Sequence, residues 1–384
     1  MTDLQEYRRQ IDEIDAKIVE LFETRMGISE KVAEYKIKTG RQVLDAGREA
    51  EKIEAVTRLA DGPFNQTGVK ELFRQIMAIS RKKQYQVLTK SGVIPRSDFK
   101  VADSLPASGA RVVFQGVEGA YSYAAMRQYF SRINSEASGN EITSFHVKTW
   151  KDAMEAVSRG EADYAVLPIE NSTAGMVSDI YDLLMEYKLA IVGEHILPID
   201  HVLLGLPQAE LEDIRKVCSH PQGLAQCREY LEKHPQWETV QTLNTAQAAK
   251  MVEETGDPSL SAIASREAGE LYGLKVLAEG LCPNQSNSTR FIIVSARLFY
   301  LKDAGTVSIC FENRHTSGSL YNMLSHIIYN GLNMTRIESR PIPGKNWEYR
   351  FFVDFEGNLS ESAVINALRG IGAEALTLRI LGNY

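Results

Sequence analysis

The first forty residues impose the hardest constraint on the fold. Leu4, Tyr7, Ile11, Ile14, Ile18, Leu21, Ile28, Val32 and Tyr35 recur at three- and four-residue intervals, and Arg25 takes the one seam position that is not apolar. No proline interrupts the pattern before Pro63. A helix of about 35 residues is about 50 Å long. A lone domain of about 90 residues is only about 25 Å across. Such a stripe outruns anything its own short partners could cover, so an intertwined dimer is expected. Two shorter helices should follow. One runs from an Asp45 cap to about Ala60. The other runs from near Thr67 to about Val87, with Leu72, Phe73, Ile76 and Ile79 on its apolar side.

The architecture changes near residue 90. The stretch from Lys90 to Ala110 is rich in Ser, Pro, Gly and Ala with little periodicity, and reads as a linker over 91–110. Residues 111–297 alternate strand candidates (111–117, 162–169, 189–199, 215–220, 289–296) with amphipathic helices (150–159, 176–187, 222–233, 245–254). That is an α/β pattern, and its length suits two lobes with a cleft between them. Residues 305–384 read as βαββαβ, the ferredoxin-like order, with Trp347, Tyr349, Phe351, Val353 and Phe355 on one face of the fourth element. The expected fold is therefore multidomain: all-α over 1–90, two-lobed α/β over 111–297 and α+β over 305–384.

Charge and composition exclude several classes. The chain has 43 basic and 50 acidic residues, and its first 92 carry 17 and 15 of them. No strongly basic stripe announces nucleic acid. No apolar run approaches the roughly 20 residues that cross a bilayer, and MTDLQEYRRQ has no apolar core of a signal peptide. Four cysteines without a CxxC pair suggest neither a disulfide framework nor zinc. A reduced, cytoplasmic enzyme without metal or cofactor is expected, and a small anionic metabolite remains a suitable ligand.

The helical segment holds the first candidate chemistry. Lys36 follows Arg25 by eleven residues, which is about 20° around a helix, so both cations look along one face inside an apolar stripe. Ser80 and Gln84 are i and i+4 on the third helix. Buried cations are costly unless paired. Either they line a pocket for a dianion, or they form a structural ion-pair network with Glu49 or Asp45. The stretches YRRQIDEIDAKIVELFETR, KVAEYKIKTGRQVLDAGREAEKI and FRQIMAISRKKQ resemble the all-helical chorismate mutase family over residues 4–86. The resemblance implies that Arg8, Arg25, Lys36, Asp45, Glu49, Ser80 and Gln84 bind chorismate, with Arg8 supplied by the other subunit. It implies Lys36 and Gln84 at the ether oxygen whose bond breaks. The rearrangement to prephenate is unimolecular and needs no nucleophile or metal; holding a compact conformer and stabilising charge on that oxygen suffice.

In the α/β segment four polar stretches sit where strands meet helices: 116–125, 168–175, 219–227 and 284–291. They contain Glu170, Asn171, Ser172 and Thr173; Ser219, His220 and Gln222; Asn287, Ser288 and Thr289. Strand-end loops of α/β sheets are where ligands bind, although Ser, Thr and Asn also cap helices. Together the four stretches resemble prephenate dehydratases over about 111–296, whose catalytic segment has two lobes related to periplasmic-type binding folds. The resemblance implies that Thr289, in the T-R-F segment, assists departure of the ring hydroxyl, and that Glu170, Asn171, Ser172, Ser219 and His220 bind prephenate. The loop G-V-E-G-A-Y-S departs from the family's usual G-P-x-G-T/S-Y/F-S: Ala120 removes a hydroxyl and Glu118 adds an acid.

GSLYNML (318–324) and TRIESRP (335–341) resemble the amino-acid-sensing ACT domain, which implies an L-phenylalanine site at Gly318, Leu320, Glu338 and Ser339 in a pairing of two modules, with Ile337 in its apolar wall. The leading expectation is a feedback-regulated enzyme that rearranges chorismate and dehydrates prephenate as a homodimer or higher oligomer. Two alternatives stand beside it: a dehydratase whose mutase-like segment only dimerises it, and a ligand-responsive transcription regulator, which would need a DNA-reading basic helix.

Overall fold

The computed structural model describes residues 2–95, 97–134, 141–282 and 286–384. Arg96, in the expected linker, and Asn284 and Gln285, at the start of the fourth polar stretch, lie outside the described residues. The chain forms two compact units, one of residues 1–98 with 303–380 and the other of 99–302 with 381–384.

In the first unit the expected long helix is α1, Thr2–Thr39. It is followed by α2, Ala46–Thr57, and α3, Gly62–Lys90. Asp45 caps α2 by accepting the Arg48 backbone N–H at 3.0 Å. The third helix starts five residues before the expected Thr67. Its first turn holds Pro63, whose missing N–H costs nothing there and whose fixed φ suits the helix. The seam of α1 is exposed from Leu4 to Tyr35, with Leu21 at 70%. Arg25 on this seam and Ser80 on α3 meet by a side-chain hydrogen bond.

The same unit contains the strand Thr306–Glu312, helix Ser319–Ile328, strands Met334–Pro341 and Tyr349–Glu356, helix Ser362–Glu374 and, up to Ile380, the strand Thr377–Asn383. Their sheet order is Met334–Pro341, Tyr349–Glu356, Thr306–Glu312, Thr377–Asn383. Val307, Ile309, Phe311, Val353 and Phe355 form its core with Met323, Ile327 and Val364 from the two helices. Trp347 lies outside the strand expected to carry it. Its φ is +61° and it is 79% exposed, in the turn before Tyr349. Helix α3 packs on this module: Thr89 Oγ1 donates to Asn366 Oδ1 at 2.6 Å, and the Lys82 ammonium stands 4.1 Å over the Tyr329 ring.

The second unit has two lobes. One sheet runs in the order Ala190–Pro198, Ser288–Ser295, Tyr164–Asn171, Arg111–Gln115, Thr143–Val147. The other runs Lys275–Ala278, Val202–Gly205, Leu260–Ala264, Lys216–Ser219, Glu238–Gln241. Several of these strands, and the helix Tyr121–Asn134, are elements that sequence periodicity did not mark. The chain crosses between lobes twice, between Pro198 and Val202 and between Ala278 and Ser288. Separate cores hold the lobes. Val112, Phe114, Tyr164, Val166, Val192 and Ile293 belong to the first, and Val202, Leu204, Ala246, Ala249 and Ala262 to the second. The helix expected over 222–233 is two short ones, Pro221–Gln226 and Arg228–Leu231, broken where Cys227 takes φ −97° and ψ 13°. Lys100–Ala102, inside the linker stretch, pairs in parallel with Phe299–Leu301, and Leu105 and Ala107 are buried.

Candidate active sites

The helical site is built where α1, α2 and α3 converge. Arg25 Nη1 donates to Ser80 Oγ, which itself donates to the Ile76 carbonyl at 2.8 Å. Ser80 thus spends its one proton on its own helix and accepts from arginine. Lys36 Nζ donates to the Val43 carbonyl at 2.6 Å, tying the end of α1 to the segment that enters α2. Burial lowers the pKa of both cations. Glu49 opposes this at Arg25, and Asp45 and Glu49 oppose it at Lys36. The two acids therefore lie within electrostatic reach, but Glu49 is held elsewhere: its Oε2 accepts from Arg81 Nη1 at 2.5 Å. Gln84 is buried, and its Oε1 has no hydrogen-bond partner among the described residues. Buried amides are rarely left so.

The structure brings Arg25, Lys36, Asp45, Glu49, Ser80 and Gln84 to one region. Arg8 is exposed and lies seventeen residues before Arg25 on the same straight helix, about 25 Å away along its axis. No small molecule touches both from one chain.

The second site is a cavity of about 420 Å³ in the two-lobed unit, lined by Tyr121, Asn171, His201, His220, Gln226 and Thr289 among others. Thr289 and Asn171 face each other across adjacent antiparallel strands. Asn171 Oδ1 accepts from the backbone N–H groups of Thr173 at 3.1 Å and Ala174 at 2.9 Å, so the orientation of its amide is fixed. Its Nδ2 must then be the group that donates to Thr289 Oγ1 at 2.9 Å. Thr173 Oγ1 donates to Asn171 Oδ1 at 2.7 Å and accepts from Gln226 Nε2 at 2.8 Å. Gln226 Oε1 is thereby turned toward His201 Nε2, 2.9 Å away, which must carry a proton. Nδ1 of the same ring is 2.8 Å from Tyr121 Oη. Burial lowers the His201 pKa and raises that of Tyr121 far above its ordinary range, so the ring is neutral and the phenol protonated at neutral pH.

The other expected residues are placed differently. His220 lines the cavity and caps the helix Pro221–Gln226, its Nδ1 accepting the Gln222 backbone N–H at 3.2 Å. Ser219 is fully buried and donates to the Ile263 carbonyl at 2.7 Å. Ser172 is exposed and its Oγ accepts the Ser288 N–H at 3.0 Å, which staples the two strand ends. Glu170 and Ser172 are not among the residues lining the cavity. The departing loop contributes Ala120, Tyr121 and Ser122 to the lining. Sequence reasoning missed Tyr121, His201 and Gln226. Tyr121 and Gln226 lie inside the polar stretches 116–125 and 219–227, whereas His201 lies in none of the four.

In the C-terminal module Gly318, at φ +75°, and Leu320 border a cavity of about 400 Å³ with Asn313, Glu348 and Phe351. Glu338 and Ser339 lie on the strand Met334–Pro341 and do not line it. Among the described residues no group of His, Cys, Asp and Glu could hold a metal ion, and no helix is long and apolar enough to cross a membrane.

Comparisons with known proteins place each of the two segments in a family. Residues 112–298 match the family Prephenate dehydratase, and residues 7–85 match Chorismate mutase type II. The bifunctional chorismate mutase/prephenate dehydratase of Enterobacter agglomerans is 33% identical over 380 residues, covering 98% of this chain and 94% of its own. Among solved structures, a prephenate dehydratase from Arthrobacter aurescens in complex with L-Phe is 32% identical with a TM-score of 0.64, covering 71% of this chain and 89% of that one. A structure described as GqqA, a quorum quenching acylase, is 35% identical with a TM-score of 0.63, covering 71% of this chain and 96% of that one. With both families matched on one polypeptide, and a relative of both aligned along nearly its whole length, the chain belongs to the bifunctional chorismate mutase/prephenate dehydratase family.

Proposed function

We propose that the isomerase and lyase activities reside in the two clusters described, one in each compact unit. In the helical cluster Arg25, with Arg8 from a second copy of the chain, forks onto the two carboxylates of chorismate. Lys36 and Gln84 donate to the ether oxygen as its bond to carbon lengthens. Glu49, with Asp45 nearby, accepts the ring hydroxyl. The separation of Arg8 from Arg25 supports the exchange between subunits, and the exposed seam of α1 supplies the apolar surface for it.

In the cavity of the two-lobed unit, Thr289 assists the hydroxyl that leaves prephenate. The observation that carries this role is the fixed amide of Asn171. Because Thr289 Oγ1 accepts from Asn171 Nδ2, its own proton is free to be donated to the substrate. As the bond to the ring carboxylate breaks, carbon dioxide leaves and that electron pair completes the aromatic ring. The hydroxyl departs with its electrons and becomes water by taking one proton, ultimately from solvent. A placed donor at the leaving oxygen lowers this barrier. His220 borders the substrate, whereas Ser172 and Ser219 act through the backbone they hold.

The C-terminal βαββαβ module reads as ferredoxin-like and ACT-type, with L-phenylalanine as effector bound beside Gly318 and Leu320. Glu338 and Ser339 join this site only from a paired module.

Single variants of the full chain test the assignment. Thr289→Ala should convert chorismate to prephenate at the normal rate and stop there. Lys36→Ala should lose mutase rate by about 10²–10³-fold, the usual effect of one electrostatic donor, and still dehydrate supplied prephenate. Near-normal dehydratase activity in Thr289→Ala would remove that residue from the reaction.

A further inference from the structure

Arg81 is a buried cation beside the mutase cluster, and no role given to that cluster uses it. Its side chain is 9% exposed and lies between two carboxylates: Nη1 donates to Glu49 Oε2 at 2.5 Å and Nε to Glu374 Oε1 at 2.9 Å. Glu374 ends the helix Ser362–Glu374 of the C-terminal module. The same Oε1 is 3.1 Å from His326 Nε2 on the facing helix. A carboxylate only accepts, so this imidazole nitrogen is the donor. The ring is wedged against Gly370, where an added Cβ would fall 2.2 Å from Nδ1. Glu374 is thus held from one side by packed His326 and from the other by Arg81.

We propose that Arg81 is a positioning residue for the mutase, fixing Glu49 toward the ring hydroxyl of chorismate, and that Glu374 of the C-terminal module fixes Arg81. The proposal rests on the mutase reading above. Its physical content is competition. Glu49 lies within electrostatic reach of Arg25 and Lys36, the two cations that a dianionic substrate must claim. An unheld Glu49 would swing onto them and oppose binding. Arg81 holds one of its oxygens and offsets its charge, leaving the other to accept the hydroxyl. Geometry of this kind is lost when one partner of a buried charge cluster is removed. Mutase affinity is then set in part by a residue more than three hundred positions away in sequence.

The test measures mutase kinetics on full-length variants, with dehydration of supplied prephenate as the control. Arg81→Met should raise the mutase KM roughly tenfold or more, with a smaller fall in kcat. Adding Glu49→Gln should not worsen that KM, because the competing charge is gone; the two changes are coupled and not additive. Arg81→Lys should recover part of the loss. Glu374→Gln keeps an acceptor and the packing, so it should fold even if Arg81→Met does not. It should raise the mutase KM by a few-fold and leave the dehydratase unchanged. A folded Glu374→Gln protein with wild-type mutase KM overturns the proposal. So does additivity of Arg81→Met with Glu49→Gln. If Glu49→Gln alone leaves the mutase untouched, the reading of Glu49 itself fails, and that outcome is distinct from the others.

Discussion

Lys82 illustrates how a single residue records the packing of α3 on the C-terminal module. Burial pushes its pKa down to about 8; Glu374 works against this and Arg81 adds to it. An unfolded lysine titrates near 10.4. Between these values the unfolded chain holds a proton that the folded chain has released, so this group makes stability rise with pH. At neutral pH the charged form is carried into the fold at a desolvation cost, partly offset by the Tyr329 ring. Lys82→Met should therefore gain stability relative to wild type at pH 7, and the gap should close as pH rises from about 8 to 10. Urea midpoints across that range would show it, and a gap independent of pH would contradict it. Residue by residue, the two sites were unequally legible. Arg25 and Lys36 stood out because cations interrupt an apolar seam, and Asn171 and Thr289 because polar residues gather where strands end. His201 and Gln226 did not, since each acquires its meaning from a partner tens of residues away. Ser219 looked like a ligand and is a buried donor to Ile263, a difference that only the neighbouring strand reveals.

Among the elements, α1 was the most predictable because its apolar pattern persists from Leu4 to Tyr35 of a 38-residue helix. The strands of the second lobe were the least so. Val202–Gly205 and Leu260–Ala264 are buried at every position, so they show no alternation and cannot be told from a short helical turn by periodicity. The seam of α1 also sets a prediction. Ile11, Ile14 and Ile18 are each more than half exposed, an apolar run that monomers rarely leave in water. Placing charges there with Ile11→Asp and Ile18→Asp should convert a dimer into a monomer in sedimentation equilibrium. Mutase activity should fall with it, because Arg8 of a second copy is withdrawn. Dehydratase activity should survive. A monomeric wild-type protein with full mutase activity would contradict the shared site.

At the scale of the whole chain, two consecutive reactions are carried by one polypeptide, and the sites proposed for them lie in different compact units. Effector binding is tested at Gly318, whose φ of +75° a β-branched residue adopts only with strain. Gly318→Val should keep both activities and lose the lowering of dehydratase rate by L-phenylalanine. Retained inhibition would place the effector elsewhere. The central claim, two independent sites on one chain, is tested most directly by mixing. Chorismate is given to Lys36→Ala alone, to Thr289→Ala alone, and to an equal mixture. The first should leave chorismate nearly untouched, the second should accumulate prephenate, and the mixture should deliver phenylpyruvate because released prephenate reaches the intact cavity of the other variant. Phenylpyruvate formed by Thr289→Ala alone, or a mixture that halts at prephenate, would contradict the account.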